Sequence, residues 1–138
     1  MTAFISHTSI DCGNAYELSE WWKQVLGYED IPDDPNEPGH EECMIRSGAD
    51  GHHILFIEVP EAKSVKNRIH LDLRPSAGTR EEELQRLLDL GAQQVDDQRR
   101  EDGSGWVVLT DPEGNEFCIL RSQEQEPENS KVDISHGG

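Results

Sequence analysis

Two histidines stand at matching places in this chain. His7 lies in the strand-like run ISHTSIDC and His70 in RIHLDL, and each run leads into a helical stretch that ends in Leu-Gly. The spacings are similar, about 20 residues from His7 to Gly27 and 21 from His70 to Gly91, which marks a duplicated unit. An imidazole can hold a metal ion, move a proton or orient a polar ligand. Two imidazoles set alike in two copies of one unit point to a ligand cleft more than to two separate, merely hydrogen-bonded strand histidines. His52 and His53 sit beside the turn SGADG and read as exposed turn residues, and His40 falls in a proline-rich loop.

Other catalytic constellations are missing from the sequence. There is no GxSxG, no HExxH and no phosphate-binding glycine loop, since GADGHH lacks the lysine and helix that such a loop needs. Cys12, Cys43 and Cys118 make an odd count without CxxC spacing, against both a disulfide framework and a zinc ribbon and in favour of a reducing compartment. Cys118, between Phe117 and Ile119, reads as a small buried hydrophobe. A nucleophilic role is not indicated for Cys12.

With 29 acidic against 12 basic side chains in 138 residues, the formal charge is -17. Such a surface repels phosphate backbones and anionic membranes, so neither nucleic acid nor membrane is an expected partner. The N-terminal stretch has neither a basic flank nor a long apolar run, and a cytoplasmic protein is expected.

Apolar patterning marks about eight strands and two helices. Residues 4–12 alternate with a strand period. Ala15, Leu18, Trp22 and Val25 recur at helical spacing behind Asn14 as N-cap, and Gly27 ends that helix. A short run at 28–31, the loop PDDPNEPGHEE, and a hairpin of 43–46 with 53–59 complete the first unit. The second repeats the order: a strand over 67–74, a helix from about Thr79 with Glu82 in capping-box spacing to Gly91, then strands over 92–96, 105–110 and 116–120. The residues after Arg121 are polar and lack a period, so 123–138, with His136, read as a mobile acidic tail. The expected domain spans 1–122, as two modules of about 3–60 and 67–121.

HTSIDCGNAYELSEWWKQVLGYED, RIHLDL and the closing DPEGNEFCIL together resemble the vicinal-oxygen-chelate superfamily, which includes glyoxalase I, extradiol dioxygenases, fosfomycin-resistance enzymes and bleomycin-binding proteins. KNRIHLDL with DPEGNEFC is similar more narrowly to glyoxalase-like domain proteins. The resemblance implies an α+β fold of two tandem βαβββ modules whose curved mixed sheet encloses a cleft, and it implies homodimers. It also implies ligand positions on the first and last strands of each module, which fall on His7, on His70, within 53–59 and on Cys118.

In metal-using relatives the residue matching Cys118 is typically glutamate. Here Glu116 precedes it by two residues on the same strand face, a displacement of about 6.6 Å. The implied metal set is therefore His7, His70 and Glu116, with Cys118 and Glu58 as alternatives and Glu116 also available as a catalytic base. The strand over 53–59 has two registers: one turns Glu58 inward, the other Leu55 and Ile57. A divalent ion (zinc, nickel, iron or manganese) and no metal at all are both open, as are a metal-dependent lyase, isomerase or dioxygenase and a metal-free sequestering protein of the bleomycin-resistance kind. For substrate binding of a small oxygenated molecule the candidates are Trp106, Arg68, Asp72 and Trp22, although Trp22 also lies on the apolar helical stripe and Asp72 could pair with Arg74.

Overall fold

A computed structural model describes residues 1–126, and the chain divides into two units, the first ending at Lys63 and the second beginning at Ser64. In the first unit β1 (Thr8–Cys12) is followed by α1 (Ala15–Leu26), β2 (Glu29–Asp30), β3 (Glu42–Arg46) and β4 (His53–Glu58). The second repeats this with β5 (Asp72–Leu73), α2 (Arg80–Asp89), β6 (Gln93–Asp97), β7 (Trp106–Thr110) and β8 (Glu116–Leu120). Each unit is a four-stranded mixed sheet, in the orders β1-β4-β3-β2 and β5-β8-β7-β6. The first strand runs parallel to the last, and the other neighbours are antiparallel. The βαβββ order expected from the sequence is the observed one.

Local chemistry explains where the helices start and stop. The Asn14 side chain accepts the Glu17 backbone N–H at 3.0 Å, and Gly27, at φ 69°, donates back to the Lys23 carbonyl at 2.8 Å. Thr79 and Glu82 form a reciprocal capping box at the start of α2. Trp21 and Trp22 meet edge to face with centroids 5.2 Å apart.

Sheet register decides which face each side chain takes. In the first unit Cys43, Ile45, Ile54 and Phe56 share one fully buried face. It is the face under α1, because α1 contacts β3 and β4, and the thiol of Cys43 is hydrogen-bonded to Ser19 of that helix. Met44, Leu55 and Ile57 take the opposite face with Ser9 and Asp11.

The second unit follows the same plan 63 residues later: Ser9 pairs with Leu55 and Asp72 with Cys118. Val107, Leu109, Phe117 and Ile119 thus correspond to the helix-covered face, and Trp106, Val108, Cys118 and Leu120 form a buried apolar cluster on the other.

The first strand of each unit is shorter than alternation predicts. The strand expected over 67–74 shrinks to Asp72–Leu73, because the Asn67 side chain occupies the edge of β8 that residues 68–70 would have paired. Its Oδ1 accepts the Glu116 N–H at 2.8 Å, and its Nδ2 donates to the carbonyls of Glu116 and Ile69 at 3.2 and 2.7 Å. In the first unit β1 begins only at Thr8, after Phe4, Ile5 and His7.

Residues 123–126 depart from the featureless tail read from the sequence. Ser122 and Gln125 form a capping box around a short 3₁₀ turn, Gln123–Gln125. Glu126 then receives hydrogen bonds from Arg121 at 2.8 Å and from Arg74 at 3.0 Å. The rest of the expected tail, His136 included, lies outside the described residues.

Candidate functional site

Three unlike side chains converge on the face of the second sheet away from α2. Parallel pairing sets Asp72 of β5 directly beside Cys118 of β8, and His70 precedes Asp72 by two residues. The potential ligand atoms of His70, Asp72 and Cys118 all lie within 4.8 Å of one another. His70 Nδ1 is 3.0 Å from Asp72 Oδ1. A carboxylate only accepts, so the hydrogen of this contact is carried by Nδ1.

The Cys118 thiol is pushed up to about 12 by its burial first, and then by the charge of Asp72 and its hydrogen bond to that carboxylate. Cys118 is therefore a protonated donor to Asp72 in the metal-free protein. Beside this polar group lie Trp106, Val108 and Leu120, and the Arg100 guanidinium stands 5.4 Å from the centroid of the Trp106 ring. The face combines a proton-carrying triad with an apolar wall, with the Arg100 guanidinium over Trp106 and the Lys66 charge acting on Cys118.

The residues singled out from the sequence divide among different roles. His70, Asp72 and Cys118 come together, and Trp106 lies on their face. Glu116 shares that face by alternation, but its carboxylate accepts the Asn67 N–H at 3.3 Å and it is not among the converging ligands. Glu58 faces the helix: its Oε2 accepts the Ala15 N–H at 3.1 Å, at the start of α1, which places Leu55 and Ile57 on the opposite face. Trp22 is 1 % exposed, inside the core of the first unit on α1, and is not part of the second sheet's converging group. Arg68 is exposed. Arg74 bonds the Arg121 carbonyl at 2.8 Å and Glu126 rather than Asp72.

His7 stays exposed, with Nδ1 3.0 Å from the Ser6 hydroxyl, and Ser9 and Leu55 occupy the places that Asp72 and Cys118 hold in the second unit. His52 is not an exposed turn residue: it is half-buried, with Nδ1 2.8 Å from the Tyr28 hydroxyl and Nε2 3.4 Å from Thr8 Oγ1. What the sequence reading missed is the union of Asp72 with Cys118. Alternation already put Asp72 on the face of His70, but the pairing with Cys118 crosses a parallel, non-local register that has no local signature.

The glyoxalase-like domain family matches residues 7–120. The chain belongs to this family. No curated protein matches it. Among solved structures, a glyoxalase/bleomycin resistance protein/dioxygenase family enzyme from Burkholderia phytofirmans PsJN superimposes with a TM-score of 0.65 at 19 % identity, over 86 % of this chain and 98 % of that one. A member of the same superfamily from Sphaerobacter thermophilus gives 0.62 at 14 % identity, over 86 % and 97 %. A mutant of the fosfomycin resistance protein FosX from Listeria monocytogenes, complexed with Mn(II) and 1S,2S-dihydroxypropylphosphonic acid, gives 0.65 at 16 % identity, over 91 % and 95 %. At these identities the structures establish the shared vicinal-oxygen-chelate fold.

The donor set of this glyoxalase-like protein can be tested against the ions its superfamily implies. An imidazole, one carboxylate and a thiol suit a borderline ion such as zinc, whereas manganese is matched by carboxylate, carbonyl and water oxygens. The His70, Asp72 and Cys118 group is thus a donor set that zinc accepts, and its thiol is the donor least suited to manganese. No helix among the described residues is long and apolar enough to cross a membrane.

Proposed function

We propose that this glyoxalase-like protein binds a small oxygenated molecule on the face of its second sheet opposite α2. The observation that carries this reading is the side-by-side placement of the His70, Asp72 and Cys118 group and the apolar cluster of Trp106, Val108 and Leu120. A few convergent polar groups against an apolar wall are what a small-molecule site requires. His70 Nε2 and the outer edge of Asp72 orient the oxygens of the ligand, and Trp106 supplies a flat apolar contact. The phosphonic acid held by FosX is a ligand of the same general class, small and rich in oxygen.

Lysis, isomerisation, oxygenation and sequestration would all begin with this binding step, and the proposal is limited to that step. It is tested by recording the indole N–H signals of isotopically labelled, chelator-treated protein. The protein is exposed to catechol, 2-hydroxy acids, vicinal diols and a phosphonate. Trp106 is assigned through Trp106→Phe. At least one compound should move the Trp106 signal while those of Trp21 and Trp22 stay put, and His70→Ala should weaken the response. Absence of any shift at millimolar concentration, or an identical shift in His70→Ala, would refute the reading.

A further inference from the structure

The second unit by itself assembles three different metal-ligating side chains, and their chemistry discriminates among ions. We propose that His70, Asp72 and Cys118 form a site for zinc or another borderline divalent ion that accepts a thiolate, and that the site rejects manganese. The inference rests on the reading of this face as the functional one, and it adds an ion to it.

Geometry comes first. Cys118 and Asp72 are register partners on hydrogen-bonded strands, and the Cys118 N–H bonds the Leu71 carbonyl at 2.9 Å, so their spacing is set by backbone and not by a mobile loop. His70 is held against Asp72 at 3.0 Å. All the ligand atoms fall within 4.8 Å, near enough for one ion to reach each with little adjustment. Cys118 is fully buried and its thiol is engaged with Asp72, so this is not a stray surface cysteine.

The donor types then choose the ion. Sulfur and imidazole nitrogen favour zinc and its neighbours, and a hard ion such as manganese gains little from sulfur. Glu116, the residue that would have hardened the set, is tied to Asn67. The duplicated scaffold offers an internal control. At the equivalent register positions the first unit carries Ser9 and Leu55, so nothing in the fold itself demands Asp72 and Cys118. When the ion binds, it takes the place of the His70 Nδ1–H to Asp72 contact, and the imidazole coordinates through Nδ1 with its proton carried on Nε2. The Cys118 sulfur–hydrogen bond gives way to a metal–sulfur bond, and the thiol proton leaves to solvent. Three protein ligands keep a fourth position open for a small oxygenated molecule.

Cobalt(II) reports on this directly, because a thiolate bound to it gives a near-ultraviolet charge-transfer band. The full-length protein, reduced and stripped with chelator, is titrated with cobalt, and manganese is followed by its paramagnetic resonance signal. One equivalent of cobalt should produce the band, zinc should abolish it, and manganese at the same concentration should remain free. Cys118→Ser should remove the band while Cys12→Ser and Cys43→Ser keep it, with circular dichroism confirming the fold of each. Asp72→Asn and His70→Ala should each weaken cobalt binding by at least about 10-fold.

Three results would overturn the site: no cobalt bound, cobalt bound without the band or with a band surviving Cys118→Ser, or manganese bound as tightly as cobalt. Failure here can be told apart from failure of the proposed function. Chelated protein that takes no cobalt yet shows the Trp106 shift loses only the ion site. Protein that binds cobalt through Cys118 yet shows no Trp106 shift, with or without the ion, loses only the ligand reading.

Discussion

Asn67→Ala tests how the candidate site is held in place. Three side-chain hydrogen bonds link Asn67 to β8 and to the lead into β5: from the Glu116 N–H at 2.8 Å, and to the Ile69 and Glu116 carbonyls at 2.7 and 3.2 Å. The bond from the Asn67 backbone N–H to Glu116 Oε1 survives truncation. A hydrogen bond contributes about 0.5–1.5 kcal/mol net, and the orphaned groups are only partly buried and can recruit water, so the lower half applies and the sum is about 2 kcal/mol. For a domain of this size that corresponds to a fall in Tm of roughly 6–8 °C. The local effect should be larger than the global one, since β5 has two residues of ladder and His70 precedes it. Hydrogen exchange at the Glu116 amide should accelerate, and cobalt binding should weaken along with it. Asn67→Asp keeps an acceptor for the Glu116 N–H but loses both donations and sets a second carboxylate beside Glu116, so it should be no more stable than the alanine variant. A Tm within about 2 °C of wild type, with unchanged exchange at Glu116, would show that something other than this side chain holds the segment.

Gly105→Ala should be among the most damaging single changes. Gly105 sits at φ 93°, and an added Cβ would collide with the Gln98 carbonyl oxygen, so a loss of about 2 kcal/mol or more is expected in chemical denaturation, with Arg100 shifted from Trp106. Glu58→Ala should cost about 1 kcal/mol by removing the acceptor for the first N–H of α1, and should leave cobalt binding unchanged. A loss of cobalt would reinstate Glu58 as a ligand. Hydrogen bonding to Arg99 holds the Asp97 carboxyl down at about 2. A depressed carboxyl stabilises the fold above its unfolded value and loses that contribution as pH falls through the folded one, so Asp97→Asn should flatten the stability profile between about pH 4 and pH 2. The Asp97 side chain is 38 % exposed, and screening limits the difference to about 0.5 kcal/mol in acid titration followed by circular dichroism.

Much of the fold was legible because its signals are local. The stripe of Ala15, Leu18, Trp22 and Val25 with Asn14 before it and Gly27 after it defines α1 to the residue, and EFCIL is β8 as observed. Alternation overran at the first strand of each unit, because period two reports which faces a segment could present and says nothing of whether a partner strand is there to bond it. At β5 the partner edge is taken by the Asn67 amide. The register of 53–59 could not be read from one sequence, since Glu58 and Ile57 are each acceptable on a half-buried face. Parallel pairing with β1, Thr8 to Ile54 through Cys12 to Glu58, settles it. The site was half visible. His70 stood out by repetition, Cys118 by its place near the end of the second unit, and Asp72 by its charge beside His70. Their meeting depends on a long-range pairing that no window of sequence contains. The turn over 123–125 escaped notice because a single capped turn is too short to show a period.

The duplication also separates what the shared scaffold requires from what distinguishes the second unit. Under the helices the two units carry interchangeable packing residues at equivalent positions: Ile54 and Phe117, Phe56 and Ile119, Cys43 and Val107, Ile45 and Leu109, all at most 1 % exposed. Packing tolerates such exchanges as long as volume and apolar character are kept. On the opposite face the units part company. His7, Ser9 and Leu55 answer to His70, Asp72 and Cys118, so a hydroxyl has become a carboxylate and a branched alkyl group a thiol. Neither change improves a core. Burial and the Asp72 charge disfavour ionising the Cys118 thiol, which costs no stability near neutral pH, where a thiol is protonated folded or unfolded, and an ion that takes it as thiolate has to offset that cost. The first unit thus shows what the scaffold needs, and the differences on this face mark what is particular to the second.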